Sequence, residues 1–188
     1  SSAQASRESR FIRELDAEKH ITVSLGATEA MASVLRALTK PGDSIVVFEP
    51  CHDLYYAQSA IFHVKVLYST LIRDEDTGEW RVNWRDVEEK IRKSRMIVIN
   101  DPHNPTGKVF TRDELRHIGR LCLRYDTLLV TDDIYEHMLF TKESTPEEAQ
   151  QTSSKQEKEY AYGGMRRRVL PTDVCADLVA EGRDSETG

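Results

Sequence analysis

Cysteine is scarce in this sequence. Cys51, Cys122 and Cys175 are odd in number, widely spaced and without a Cys-x-x-Cys pair, which excludes a disulfide framework and a cysteine-rich zinc site. A reducing compartment fits, and the cytoplasm is the expected location. Long apolar runs are missing too: the longest are about five residues, against the roughly 20 a membrane-spanning helix needs, and the opening SSAQASRESR has no apolar signal core. Positive charge is in deficit, with 26 Lys and Arg against 32 Asp and Glu for a net −6, and only Arg166, Arg167 and Arg168 form a tight basic run. A phosphate backbone or an anionic membrane is repelled by such a surface, so neither nucleic acid nor membrane is expected as a partner. The sequence holds no GxSxG elbow, GxxxxGKS/T loop or GxGxxG fingerprint, and no repeat at a solenoid period.

What is present fits one ordinary domain: 188 residues, 39% hydrophobic and 31% charged, enough to bury a core and still dissolve. Residues 1–20 read as a flexible lead-in. From Ile21 to Phe140, short apolar runs alternate with amphipathic stretches. Met31, Val34, Leu35 and Leu38 fall at helical spacing until Lys40, Pro41 and Gly42 stop the helix. Strands are expected at 45–48, 64–68, 96–99 and 128–130, and a short helix at 53–62. Asn83 caps a helix carrying Trp84, Val87 and Ile91. A capping box of Thr111 and Glu114 opens another, with Leu115, Ile118, Cys122 and Tyr125 inward. Near-continuous apolar strands separated by helix-sized crossovers imply an α/β fold: three α/β/α layers around a mainly parallel sheet. Residues 141–160 have eight charged residues in twenty and almost no large aliphatics, so 141–188 reads as a divergent, partly disordered segment.

In such sheets ligands sit at the carboxyl ends of the strands, and there the unusual residues gather. In SLGATEAM, Gly26 precedes a helix start at Thr28, where free backbone amides and the helix dipole suit a phosphate, although an ordinary N-cap has the same look. In INDPHNPTGKVF, two prolines and Gly107 force a stiff turn after a buried strand, either X-Pro bond being able to adopt cis, and hold the Asn104 amide in place. In LLVTDDIYEHM, a carboxylate follows an apolar strand end, which is costly without a partner, so Asp132 or Asp133 is expected to have one. Tyr135 follows three residues on. The same acidic pair could simply open a helix.

Together these stretches resemble the large domain of fold type I aminotransferases that use pyridoxal phosphate, most closely the class I/II group with the kynurenine and aromatic enzymes. The resemblance is co-linear from Ile21 to Phe140. It implies that Gly26, Ala27 and Thr28 hold the cofactor phosphate, and that His52 stands where the family places a ring over the pyridine, usually Phe, Tyr or Trp. It also implies that Asn104 and Tyr135 bond the phenolic oxygen and that Asp132 pairs with the pyridine nitrogen.

The family's lysine motif, Ser-x-Ser-Lys followed by Gly-x-Arg, is matched in part by QEKEYAYGGMRRR. Lys158 stands for the lysine that bonds the cofactor, Gly164 for the glycine and Arg166 for the phosphate-clamping arginine, but Gln156 and Glu157 precede the lysine and Arg167 and Arg168 follow. A competing register through Ser153, Ser154 and Lys155 leaves no Gly-x-Arg at the right distance. The family's small C-terminal domain is not visible after Leu170, so a fragment, a truncated gene model and an inactive paralogue stay open. The implied activity is amino transfer between an amino acid and a 2-oxo acid, by a homodimer. A lyase on the same cofactor, or a non-catalytic cofactor-binding or interaction domain, are the alternatives.

Overall fold

In the computed structural model, residues 16–138 are described, together with the backbone of two short strands at 161–162 and 165–166. The order is α1 (Ala17–His20), α2 (Gly26–Leu38), β1 (Ser44–Glu49), α3 (Leu54–Ile61), β2 (Lys65–Thr70), β3 (Ile72–Arg73), β4 (Trp80–Arg81), α4 (Trp84–Ile91), β5 (Met96–Asn100), α5 (Arg112–Tyr125), β6 (Leu128–Asp132), β7 (Ala161–Tyr162) and β8 (Met165–Arg166). Four strands form one parallel sheet in the order β2-β1-β5-β6. β3 pairs with β4 and β7 with β8 as separate antiparallel hairpins.

Strand alternation sorts the core into two layers. Ile45, Val47, Met96 and Val98 point to the face covered by Met31 and Leu35 of α2 and Tyr55 of α3. Val46, Phe48, Ile97 and Ile99 point to the opposite face, under Val87 and Ile91 of α4 and Leu115, Ile118 and Leu121 of α5. The three-layer α/β/α arrangement expected from the apolar runs is therefore present. The expected caps are also present: Asn83 accepts from the Asp86 amide, and Thr111 and Glu114 close a reciprocal box at the start of α5.

The chain leaves β1 through α3 to reach β2 on one side, then returns through α4 to β5 on the other side of β1. The covering helix changes face with that reversal, as right-handed crossovers require. Between the carboxyl ends of β1 and β5 the sheet thus has a topological switch point, where the crossover loops diverge and leave a crevice.

Candidate active site

The strands run past their apolar runs onto polar residues. Glu49 pairs with Thr70, and Asn100 pairs with Asp132, as the last rungs of their ladders. Glu49, Asn100 and Asp132, expected in the loops after the strands, are strand residues, because backbone pairing continues wherever a partner strand lies alongside, whatever the side chain.

Asn100 is 5% exposed and joins three pieces of chain. Its Nδ2 donates to the Asp132 carbonyl at 2.9 Å, and its Oδ1 accepts from the Asn104 amide at 2.8 Å. The Asp101 amide also donates to the Asp132 carbonyl, at 3.2 Å, and Asp101 Oδ1 accepts from the Phe110 amide at 3.1 Å. The loop after β5 is thereby tied to the end of β6 and to its own far side. Asp101–Pro102 and Asn104–Pro105 are both cis, as is Glu49–Pro50, and Gly107 occupies φ +70°, a region that favours glycine. His103, 4% exposed, has Nδ1 2.8 Å from Thr106 Oγ1. Burial holds its imidazole below the ordinary histidine range, while its bond to the Phe48 backbone acts the other way and the Lys108 charge adds to the lowering.

That braced loop presents Asn104, whose Nδ2 donates to the Tyr135 hydroxyl at 3.1 Å. Sequence reading placed these two residues on one cofactor atom, and the fold brings them into contact across 31 positions. Asp132 Oδ2 accepts from the Tyr55 hydroxyl at 2.7 Å, and Oδ1 accepts from the Ile134 amide at 3.4 Å. Burial, then the adjacent Asp132 charge, raises the Tyr55 phenol well above its usual range, so it stays a proton donor at any working pH. Of the acidic pair, Asp132 is thus the one whose carboxylate meets a side-chain donor from another element. Asp133 accepts only locally, from Thr131 Oγ1 at 3.0 Å. Its Oδ1 is buried without a partner, and burial raises its carboxyl above the usual range.

The helix expected from Thr28 begins two residues earlier, at Gly26, after an N-cap Leu25 whose amide is met by the Glu29 carboxylate reaching back one turn. No side chain caps the first helical amides. Gly26 has φ +75°, and its amide donates to the Ser24 carbonyl at 2.9 Å. Among the three predicted phosphate donors, this leaves Ala27 and Thr28, whose amides a helix's first turn cannot pair internally. A Cβ at Gly26 would meet nothing within 4 Å, so the space over this turn is open. Gln58 Nε2 donates to the Thr28 carbonyl at 2.7 Å, tying the turn to α3.

His52 is about half exposed at the start of α3, where its Nδ1 accepts from the Leu54 amide at 3.1 Å and lies 3.2 Å from Asp53 Oδ1. Lys158, with the alternative Lys155, lies outside the described residues. Arg166 is placed only by backbone, opposite Ala161 in the β7–β8 hairpin. Sequence reading missed Tyr55 and Gln58, and it gave no role to Asn100, although Asn100 lies in the INDPHNPTGKVF stretch. Tyr55 and Gln58 fall three apart in LYYAQSAI and so share one face of the helix that follows the switch-point strand, a spacing that groups them without choosing between that face and the one bearing Tyr56.

The chemistry of the donor set fits pyridoxal phosphate. A carboxylate is available for a ring N–H, the Tyr135 O–H and the second Asn104 amide hydrogen for a phenolic oxygen, and helix-start amides beside open space for a phosphate.

A doubly wound parallel sheet with a held carboxylate and amide donors at its switch point defines an α/β protein built to hold a ligand at the carboxyl ends of its strands. The chain belongs to the aminotransferase class I and II family, whose model matches residues 6–163. It is 37% identical over 140 residues to a probable kynurenine–oxoglutarate transaminase of Saccharomyces cerevisiae, covering 70% of this chain and 31% of that protein. The crystal structure of Bna3p from Saccharomyces cerevisiae superposes with a TM-score of 0.64 at 34% identity, over 74% of this chain and 36% of that one. A pyridoxal-phosphate-bound aminotransferase from Clostridium difficile superposes with a TM-score of 0.57 at 29% identity, over 60% and 29% of the two chains. The chain thus spans about a third of the length of the curated relatives it matches.

Proposed function

We propose that this chain is the cofactor-binding part of a pyridoxal-phosphate-dependent aminotransferase that moves an amino group between an amino acid and a 2-oxo acid. The observation that carries the reading is the Asp132 carboxylate, held by Tyr55 at the carboxyl end of β6 beside the Asn104–Tyr135 pair. Family membership and the pyridoxal phosphate bound by a structural relative support the same cofactor.

When bound, pyridoxal phosphate supplies an electron-accepting ring. Asp132 holds a proton on the ring nitrogen, and its negative charge favours the cationic ring. Asn104 and Tyr135 direct two N–H and O–H donors at the phenolic oxygen. The Ala27 and Thr28 amides, with Gly26 leaving room, bind the phosphate, and His52 flanks the ring. Lys158 is the proposed lysine that bonds the cofactor and moves the substrate proton, with Arg166 at the phosphate. A cytoplasmic homodimer is the proposed setting. Cys51 and Cys122 are free thiols, and among the described residues no helix is long and apolar enough to cross a membrane.

The test is chemical: pyridoxal phosphate is added to the purified chain, borohydride fixes any adduct, and peptide mapping locates it. A single adduct at Lys158 is expected. Adducts scattered over surface lysines, or none, would overturn the reading.

A further inference from the structure

Helix α3 touches the candidate site twice. Tyr55 and Gln58 lie three residues apart on its inward face, about 4.5 Å along the axis at 1.5 Å per residue. Both are nearly buried, at 4% and 7% exposure. Tyr55 packs with Met31 and Leu35 of α2 and with Ile45 and Val47 of β1, so the helix cannot slide without breaking that cluster. From this fixed face Tyr55 reaches Asp132 Oδ2 on β6 at 2.7 Å, and Gln58 reaches the Thr28 carbonyl in the first turn of α2 at 2.7 Å. A carbonyl can only accept, so the Gln58 amide orientation is settled by chemistry, and its Oε1 is left buried without a partner. No other described hydrogen bond joins α3 to either place.

We propose that α3 is the spacer of the cofactor cradle: Tyr55 and Gln58 are positioning residues, one orienting the carboxylate at the ring end and the other fixing the helix turn at the phosphate end. The inference rests on the reading above, since it takes the two places as opposite ends of one ligand. Its content is that two side chains on a single helical turn set their separation. Gln58 acts on the phosphate alone, and Tyr55 acts on the ring whether or not a phosphate is attached.

Two measurements test it. The first needs no cofactor: amide hydrogen exchange on the purified chain. Gln58→Met, which conserves volume, should speed exchange about fivefold at residues 29–32, the first paired amides of α2, and leave 131–135 unchanged; Tyr55→Phe should do the reverse. Faster exchange throughout the sheet in either variant would mark the residue as a general structural support and overturn the proposal. So would no local change. The second measurement is equilibrium binding of pyridoxal phosphate and of phosphate-free pyridoxal. Gln58→Met should weaken the phosphorylated compound about fivefold and the other by less than twofold, while Tyr55→Phe should weaken both alike by about tenfold. If the unsubstituted chain binds neither compound, the functional reading falls and the spacer role falls with it. If it binds both but the two variants show the same pattern, only the spacer role is overturned.

Discussion

The middle of each central strand and its carboxyl end obey different rules. In mid-strand, Ile45, Val46, Ile97 and Val98 are buried on both faces of the sheet and make only apolar contacts, so they contribute to stability through area removed from water. Further on, Asn100 at the end of β5 and Asp101 just after it are as deeply buried, and Asp132 at the end of β6 is half-buried, but all three spend their side chains on hydrogen bonds to other parts of the chain. Asn100 and Asp101 match the mid-strand residues in burial, and their chemistry is opposite. A polar group at that depth costs free energy unless it is partnered, so the partners that hold it fix its geometry, and the fixed geometry is what a ligand can use. The mid-strand region should therefore respond to substitution in stability alone and the strand ends in ligand chemistry.

The largest expected effect is in the apolar region. Ile97→Ala removes a fully buried side chain between α4 and α5 and should cost about 4 kcal/mol by denaturant unfolding, enough to threaten the fold. Next comes Lys108, whose ammonium meets the Trp80 carbonyl at 2.9 Å and both Glu114 oxygens at 2.9 and 3.0 Å, with the side chain 7% exposed. Lys108→Met should cost about 3 kcal/mol, and adding Glu114→Gln should recover part of it, since the loss arises from a carboxylate left without its cation. A double variant no better than the single one would show the pair to be incidental. At the strand end, Asp132→Asn keeps an acceptor for Tyr55, so unfolding should move by less than about 0.5 kcal/mol while any transamination falls at least about 100-fold. Equal losses in both readouts would erase the distinction between the two regions.

The layer order, the caps and three motif positions were legible because each leaves a local mark. Apolar runs of four announce buried strands, Thr111-x-x-Glu114 announces a capping box, and two prolines flanking Asn104 announce a stiff turn. Strand ends were set too early, at Phe48, Ile99 and Val130, because alternation was judged by apolar side chains whereas the ladder continues by backbone onto Glu49, Asn100 and Asp132. The β3–β4 hairpin leaves no such mark, its strands being two residues each. Tyr55 was passed over since Tyr55 and Tyr56 are chemically identical in the sequence. Only the turn from Pro50 to Asp53 decides which faces the sheet, and the other is 62% exposed. Its partner Asp132 lies 77 residues away, a separation no local pattern encodes.

The smallest expected effect tests whether burial at the strand ends carries a pH signature that the apolar region lacks. His103 braces the loop that presents Asn104, and burial lowers its imidazole below the ordinary value of 6.5. The unfolded chain therefore binds a proton near that value which the folded chain refuses, so stability is complete above it and is lost as pH falls below it toward the depressed folded value. Melting curves between pH 7.5 and 5.5 should show unsubstituted protein losing stability on acidification, by under about 1 kcal/mol, with His103→Gln losing measurably less. Glutamine keeps a donor and an acceptor for Thr106 and the Phe48 backbone, so the comparison isolates the charge. Parallel curves would mean that His103 accepts its proton without disturbing the loop, and that the Asn104 amide owes its position to Asn100 and the prolines alone.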